Sequence, residues 1–196
     1  MKQYSAACDQ NKDPILKVIK PLLLNAKSVL EVGSGTGQHC VYFAQKLPHL
    51  TWQASDQTMY LPSVNAWISE AQLNNTPTAL ELNVCHAWPE FTYDAIFSAN
   101  TTHIMSWDVV LDFFKGVGEA LNAEGLFILY GPFNYNGQYT SQSNANFDLW
   151  LAQQNPHSAI RNSEALDELA KEAGLTLTDD YPMPANNRIL VWRKNT

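Results

Sequence analysis

Along the chain, short apolar runs alternate with longer segments in which apolar residues recur at helical spacing. Apolar runs bounded by turn residues predict β-strands, and apolar residues three or four positions apart predict amphipathic helices. Five runs predict the first strands, at 28–32, 50–55, 78–82, 93–99 and 125–131. Helices are predicted between and after these strands, at 38–47, within 61–73, and at 106–121, 146–153 and 163–173. Two closing strands are predicted at 175–181 and 188–193.

A further helix is predicted before the first strand. We expect it to begin at Asp13-Pro14, because proline is suited to an early helical position. Apolar residues from Ile15 to Leu23 then form one stripe, in which Pro21 predicts a kink or an end.

The alternation of strands and helices is typical of a doubly wound, mostly parallel sheet with helices on both faces. No internal repeat, low-complexity tract or linker divides the chain, so we predict a single domain over residues 1–196. Such sheets bind ligands beyond the carboxyl ends of their strands. A polar, nearly uncharged insertion at 132–148 follows the fifth predicted strand, where it can cover a ligand site.

Charge and cysteine content bear on partners and compartment. The net charge is −7 and the basic residues are scattered, which argues against a nucleic-acid partner. No apolar stretch approaches the roughly 18 residues of a membrane span, and the first residues lack the apolar core of a signal peptide. The three cysteines form no CxxC pair and the five histidines show no ligand spacing. We therefore expect a cytoplasmic protein without a metal.

The strongest chemical signal follows the first predicted strand. VLEVGSGTGQH (29–39) leads from an apolar strand through Gly33, Gly35 and Gly37 into a predicted helix. Glycine lets the backbone approach a ligand closely, and the free N–H groups at the start of a helix attract polar ligands. The sequence therefore predicts a ligand site at this turn.

The spacing of the motif discriminates between two classes of ligand. The dinucleotide fingerprint GxGxxG requires glycine at position 38, where this chain has Gln38. Glu31 precedes the turn, and a carboxylate there repels a phosphate and attracts an amine. Asp56 ends the second strand roughly 20 residues after Gly33, where a carboxylate can hold two ribose hydroxyls. S-adenosylmethionine is an adenosine that carries an amino acid, so it offers an amine to Glu31 and ribose hydroxyls to Asp56.

VLEVGSGTG together with Asp56 resembles the glycine motif and ribose-binding acid of class I S-adenosylmethionine-dependent methyltransferases. Five segments are similar to the methyltransferase-like 26 family: NKDPIL (11–16), SGTGQH (34–39), GPF (131–133), SNANFD (143–148) and MPANN (183–187). The resemblance spans nearly the whole chain. It implies a Rossmann-like, seven-stranded sheet whose last strand is antiparallel. It also implies methyl transfer to an acceptor that it does not identify, with S-adenosylhomocysteine as the spent cofactor.

The resemblance further implies a set of cofactor-binding residues near the ends of the first four strands: Glu31, Gly33, Gly35, Gly37, Asp56, Asn83 and Asn100. Glu31 would meet the methionine amine, the glycines would line methionine and ribose, and Asp56 would hold the ribose. Many class I enzymes have an aspartate toward the adenine amine where this chain has Asn83, whose side-chain oxygen still accepts a hydrogen bond. Asn100 would lie by the methionine end.

His103, three residues after Asn100, is the candidate catalytic residue. A sulfonium already activates the methyl group, so alignment matters more than a strong base. An imidazole with an ordinary pKa of about 6.5 can nevertheless take a proton from the acceptor at neutral pH. The alternative is a histidine that only packs or caps at the end of a strand.

A polar pocket for a small-molecule acceptor is predicted around the same strand ends. Residues 1–26 form a helical segment that can fold over the cofactor as a lid, with Asn11 and Lys12 toward the site. The other candidate substrate-binding residues are Tyr130, Asn144, Asp148, Arg161, Asn186 and Asn187. Each of them alone is also typical of a turn, a cap or an exposed surface.

Two further functions stay open. One is a non-catalytic module that binds S-adenosylmethionine as a sensor or as a partner subunit, and turnover of an acceptor discriminates it from an enzyme. The other is a nicotinamide-dependent oxidoreductase on the same fold, against which Gln38 counts. The sequence does not indicate an oligomeric state.

Overall fold

A computed structural model describes residues 1–196, and its strands form one large sheet and one small one. The strands in chain order are β1 (Ser28–Val32), β2 (Thr51–Asp56), β3 (Leu80–Glu81), β4 (Tyr93–Ala99), β5 (Leu121–Gly131), β6 (Phe133–Asn134), β7 (Arg161–Asn162), β8 (Leu175–Met183) and β9 (Asn187–Lys194). Six α-helices accompany them: α1 (Ala6–Leu22), α2 (Gln38–Lys46), α3 (Leu61–Ala71), α4 (Trp107–Ala120), α5 (Gln142–Gln154) and α6 (Ser163–Glu172).

The large sheet has seven strands in the order β3-β2-β1-β4-β5-β9-β8, and β6 pairs with β7 outside it. Strands β1 to β5 run parallel, whereas β9 is antiparallel to both of its neighbours. The predicted doubly wound sheet with an antiparallel last strand is thereby confirmed. The strand order reverses between β1 and β4, which opens a crevice at their carboxyl ends where such sheets bind ligands.

Each face of the sheet carries its own apolar core. Along β5, Leu126, Ile128 and Tyr130 belong to the core beneath α1, α2 and α3. The intervening Phe127 and Leu129 belong to the core beneath α4 and α6. Successive side chains of a strand point to opposite faces, so an uninterrupted apolar run is what a strand buried on both sides requires. No helix combines the length and the apolar character that crossing a membrane would require.

Two helices begin earlier than the sequence predicts. Helix α1 begins at Ala6 rather than at Asp13-Pro14, because the Ser5 side chain caps it and both prolines lie inside the helix. Its first turns are largely exposed and polar and face no core, so they show no apolar periodicity. Helix α5 begins at Gln142, inside the predicted insertion, where the Ser141 hydroxyl accepts a hydrogen bond from the Asn144 N–H at 3.1 Å.

Candidate functional site

Glu31 lies in β1 at the crevice, where its side chain is only 2 % exposed. Its Oε2 accepts a hydrogen bond of 2.6 Å from the Trp52 indole Nε1. Burial raises the pKa of Glu31 to about 8, the bond from Trp52 opposes this rise, and the nearby Asp56 carboxylate adds to it. The carboxyl therefore holds a proton at neutral pH until a cation is placed beside it.

Asp56 ends β2 and faces the glycine turn. Its Oδ2 accepts a hydrogen bond from the Gly35 N–H at 2.6 Å, and its Oδ1 accepts one from the Gln57 N–H at 2.7 Å. Burial raises the pKa of Asp56, and these two hydrogen bonds oppose the rise. They also orient the carboxylate, while each oxygen keeps a lone pair for the hydroxyl of a ligand.

The three glycines of the turn have left-handed backbones, with φ of 77° at Gly33, 56° at Gly35 and 95° at Gly37. A Cβ on Gly33 would lie 2.6 Å from the Thr101 Cγ2, and one on Gly37 would lie 2.8 Å from the Val64 Cα. The protein itself thus fills the space beside those two residues. A Cβ on Gly35 would meet nothing within 4 Å, so Gly35 borders open space next to Asp56.

Asn83 and Asn100 lie at the edges of this crevice. The Asn83 Oδ1 accepts a hydrogen bond from the Cys85 N–H at 3.1 Å, which orients its amide in the loop after β3. Asn100 directly follows β4 with φ of 59°, and its N–H donates to the Tyr130 carbonyl at 2.9 Å. A left-handed backbone costs a residue with a side chain about 1 kcal/mol, so the chain is strained where β4 ends.

The segment before α1 is fastened over the glycine turn. Gln38 accepts a hydrogen bond from the Ser5 N–H at 2.5 Å and donates one to the Ser5 carbonyl at 3.2 Å. The Gln3 N–H donates to the Ser63 hydroxyl at 2.9 Å, and the Gln3 carbonyl accepts from the Trp67 indole at 2.8 Å. These four bonds hold residues 3–5 against α2 and α3.

A neutral polar cluster joins α1, α2, β5 and β9. The Asn11 Oδ1 lies 2.7 Å from the His39 Nε2. Burial raises the pKa of Tyr130, and interactions of its hydroxyl with Asn11 and Asn187 oppose the rise. Burial lowers the pKa of His39 to about 4, so the cluster carries no charge at neutral pH.

His103 lies just beyond β4 and is 4 % exposed. Its Nδ1 has no hydrogen-bond partner and lies 3.8 Å from the point where a Cβ on Gly131 would be. The ring packs edge-on against Phe147, with centroids 5.4 Å apart. Burial lowers the pKa of His103 to about 4, Arg161 adds to this, and Asp148 opposes it. His103 is therefore a neutral imidazole with an unused ring nitrogen at the ends of β4 and β5.

Asp148 and Arg161 hold the insertion against the loop that carries His103. The Asp148 carboxylate accepts hydrogen bonds of 2.6 Å from both the Ile160 N–H and the Tyr139 hydroxyl. The Arg161 guanidinium donates to three backbone carbonyls, those of Thr102, Met105 and His157, at 3.2, 2.5 and 2.9 Å. Each side chain is thus engaged in protein contacts that position its neighbours.

Asn144 joins α5 to the turn before β9. Its Nδ2 donates to the Asn186 carbonyl at 3.1 Å, and the Asn186 side chain donates to the Ser143 hydroxyl at 3.1 Å. Ala185 and Asn186 both have φ of 57°, so these bonds hold a strained turn in place. Lys12 lies elsewhere, in an ion pair with Asp9, with its Nζ 5.2 Å from the centroid of the Tyr42 ring on α2.

The structure thus divides the candidates of the sequence among distinct groups. It brings Asn11, Tyr130 and Asn187 together, and it places Asp148 and Arg161 around His103. Sequence reasoning missed Trp52 as the partner of Glu31 and Gln38 as the fastener of the N-terminal segment. No sequence motif predicts that Trp52 bonds to Glu31. Gln38, by contrast, lies in the glycine motif at the position that departs from the dinucleotide pattern.

The fold is that of class I S-adenosylmethionine-dependent methyltransferases. The methyltransferase SibL, in its apo form, superposes with a TM-score of 0.83 and 19 % identity, covering 97 % of this chain and 56 % of SibL. Human N-acetylserotonin methyltransferase, in complex with S-adenosylmethionine, superposes with a TM-score of 0.82 and 14 % identity, covering 97 % of this chain and 53 % of the human protein. The mitomycin 7-O-methyltransferase MmcR superposes with a TM-score of 0.79 and 16 % identity, covering 88 % of this chain and 50 % of MmcR. The chain spans about half the length of these proteins.

A family model described as "Protein of unknown function (DUF938)" matches residues 2–194. The chain therefore belongs to the DUF938 family.

Proposed function

We propose that the protein binds S-adenosylmethionine and transfers its methyl group to a small-molecule acceptor. The observation that carries the proposal is the open space beside Gly35, bordered by the oriented Asp56 carboxylate and lying in the crevice that also holds Glu31. Gly33 and Gly37 have neighbours inside the protein that exclude a side chain, whereas Gly35 has none. The left-handed φ of 56° favours glycine at this position, and the open space beside it leaves room for a ligand against the backbone.

The residues of the crevice fit the chemical groups of this cofactor. The Glu31 carboxyl would bind the methionine ammonium, the Asp56 oxygens would accept hydrogen bonds from the ribose hydroxyls, and Asn83 would accept one from the adenine amine. Asn100 would lie by the methionine end. When bound, the cofactor supplies a methyl group that is activated on a sulfonium, and it leaves as S-adenosylhomocysteine.

The residues on the acceptor side orient the acceptor and take up its proton. The methyl group would pass to an oxygen or nitrogen of the acceptor, and that atom would lose its proton in the same reaction, so a weak base suffices. His103, neutral and with an unused Nδ1, receives the proton. Residues 1–26 act as a lid that excludes water, and the cluster of Asn11, Tyr130 and Asn187 contacts the acceptor.

Two comparisons support the small-molecule class of acceptor. MmcR is by name a mitomycin 7-O-methyltransferase, and the human neighbour is an N-acetylserotonin methyltransferase. The similarity of five segments to the methyltransferase-like 26 family favours the same chemistry without naming the acceptor.

Calorimetric titration with S-adenosylhomocysteine tests the cofactor site through Gly35→Ala. Gly174→Ala is a matched control, since Gly174 also has a left-handed φ, of 76°, with nothing within 4 Å of the position that a Cβ would take, and it lies at the end of α6. Both variants are expected to lose about 1 kcal/mol of stability because alanine resists this backbone. Only Gly35→Ala is expected to lose affinity, by more than tenfold. Equal affinity of Gly35→Ala and Gly174→Ala for S-adenosylhomocysteine would show that the cofactor does not bind at this turn.

A second measurement distinguishes an enzyme from a binding module. The protein is incubated with cofactor that carries a ¹³C-labelled methyl group and with a low-molecular-mass metabolite extract. Label that moves to an extract component supports the enzyme. Tight cofactor binding without any labelled product supports the non-catalytic alternative.

A further inference from the structure

Two buried side-chain atoms lack a hydrogen-bond partner: His103 Nδ1 and Asn134 Oδ1. The residues are 4 % and 8 % exposed, so bulk water does not readily compensate them. Leaving a buried polar atom unpaired costs about 1–3 kcal/mol, and folded proteins contain few such atoms. Two of them in one region therefore call for an explanation.

The chain contacts place both residues at the same junction. His103 lies against Gly131, which begins the short stretch that reaches Asn134 in β6. Strand β6 pairs with β7, and Arg161 of β7 donates to the carbonyl of Thr102, the residue before His103. Both residues thus follow the carboxyl ends of the paired parallel strands β4 and β5, where the proposed function places the acceptor.

We infer that Asn134 is an acceptor-binding residue and that, with His103, it selects an uncharged acceptor carrying an O–H or N–H group. This inference rests on the proposed methyl transfer. The Asn134 oxygen can only accept, so the ligand must donate a hydrogen bond to it. The neutral imidazole of His103 can accept from or donate to the same ligand, depending on its tautomer.

The surrounding charges argue against an ionised acceptor. The Arg161 guanidinium is engaged with three backbone carbonyls, and the Asp148 carboxylate with two donors. The two groups keep their charges, but they act on His103 in opposite directions and attract each other, so their charges offset. No net charge is left to compensate an ionised acceptor, and burying an uncompensated charge is costly. A carboxylate or phosphate would moreover bring acceptor atoms to an oxygen that itself needs a donor. An uncharged O–H or N–H group can donate to the Asn134 oxygen. A second donor, or a hydroxyl lone pair facing an Nδ1–H tautomer, can satisfy His103.

The test compares the parent with Asn134→Leu, which removes the oxygen at similar volume, and with Asn134→Ala, which adds no atom to the pocket. Asn146→Leu is the matched control, because Asn146 is an exposed asparagine of α5 that bonds only to Gln142. The probe is a metabolite extract that ion-exchange resins have separated into neutral, anionic and cationic fractions. Each fraction is incubated with ¹³C-methyl cofactor, and the carbon chemical shift of the product distinguishes O-methyl from N-methyl.

The parent and Asn146→Leu are expected to label the neutral fraction. The two Asn134 variants are expected to label it at least about tenfold more slowly, as for one lost hydrogen bond, while S-adenosylhomocysteine affinity stays within twofold. The melting temperature of Asn134→Leu is expected to stay equal or rise, because an unpaired buried oxygen is removed.

Labelling by both Asn134 variants at the parent rate would overturn the inference, as would methylation of anionic acceptors, of cationic acceptors or of carbon. Loss of S-adenosylhomocysteine binding or a lowered melting temperature in both variants would also overturn it, because Asn134 would then be a scaffold residue, paired through a bound water. Failure of methyl transfer itself would be recognised separately, since the parent would bind S-adenosylhomocysteine and label no fraction.

Discussion

At the scale of single residues, Glu31 links cofactor binding to protonation. Its carboxyl is buried beside the Trp52 indole and near a second acid, which keeps it protonated in the absence of a cation. A ligand that brings an ammonium group favours the ionised form, so binding releases a proton. Affinity for S-adenosylhomocysteine is accordingly expected to increase as the pH rises toward the pKa of Glu31, about 8.

The same carboxyl makes stability depend on pH. The folded pKa of Glu31 is raised from 4.5 to about 8, so between these values the folded state holds a proton that the unfolded state has released. The free energy of unfolding therefore falls as the pH rises through this window. The Glu31→Gln variant has no carboxyl at this position and does not lose stability in this way. At alkaline pH its free energy of unfolding is expected to exceed that of the parent by up to about 5 kcal/mol.

Urea unfolding at several pH values from 5 to 9 measures this difference. Glu90→Gln is the control, because it removes a carboxyl that is exposed. Parallel pH profiles of Glu31→Gln and Glu90→Gln would show that Glu31 is ionised in the free protein and would contradict the predicted proton release.

At the scale of elements, the Gln38 side chain supplies two of the four hydrogen bonds that attach the N-terminal segment. The Gln38 amide bonds to both the N–H and the carbonyl of Ser5, as a neighbouring strand would. We expect Gln38→Leu to free residues 1–12 from α2 while the rest of the sheet stays folded. Amide exchange of this segment should accelerate about tenfold, as for the loss of one to two net hydrogen bonds.

Hydrogen-exchange mass spectrometry of the N-terminal peptide, with and without S-adenosylhomocysteine, measures the effect. Gln45→Leu, an exposed glutamine on the same helix, is the matched control. Faster ligand dissociation in Gln38→Leu than in Gln45→Leu supports a lid. Unchanged exchange in both variants would show that α1 is a fixed part of the fold.

The elements also show why sequence patterns predict some boundaries and miss others. Strand β5 is buried on both faces and is therefore a continuous apolar run. Helix α4 packs one side against a core, so its apolar residues recur at helical spacing. The first turns of α1 and α5 lie on polar surfaces, where no period marks the helix. Only the caps at Ser5 and Ser141 signal these two helix starts, and isolated serines are too common to be decisive.

At the scale of the whole molecule, ligand binding should appear as added stability. A ligand at 100 times its dissociation constant stabilises the folded state by about 2.7 kcal/mol, which corresponds to about 5–10 °C for a chain of this size. We expect S-adenosylhomocysteine to raise the melting temperature by this amount and NADH at the same concentration to leave it unchanged. Differential scanning fluorimetry measures both, and an equal shift with NADH would instead support a nicotinamide-dependent oxidoreductase.

The sequence by itself determined the order of the helices and of the seven strands of the large sheet, the glycine turn and the two acids at the ends of β1 and β2, but not the short strands β6 and β7. These features are local, because they follow from apolar periodicity, from glycine and from the distance between motifs along the chain. The hydrogen bond from the Gly35 N–H to Asp56 also follows from these local features, because β1 and β2 are adjacent parallel strands.

Only the tertiary structure decided which polar residues meet and which remain unpaired. Glu31 is protonated because burial and the nearby Asp56 raise its pKa more than the hydrogen bond from Trp52 lowers it. Asn134 is unpaired because no donor of the folded chain reaches its oxygen. In the sequence, Asp148 and Arg161 resemble binding residues. In the structure, Arg161 bonds to backbone groups up to 59 positions away, and Asp148 bonds to the Ile160 N–H and the Tyr139 hydroxyl. Burial and hydrogen-bond satisfaction are properties of the packed chain, and no spacing in the sequence encodes them directly.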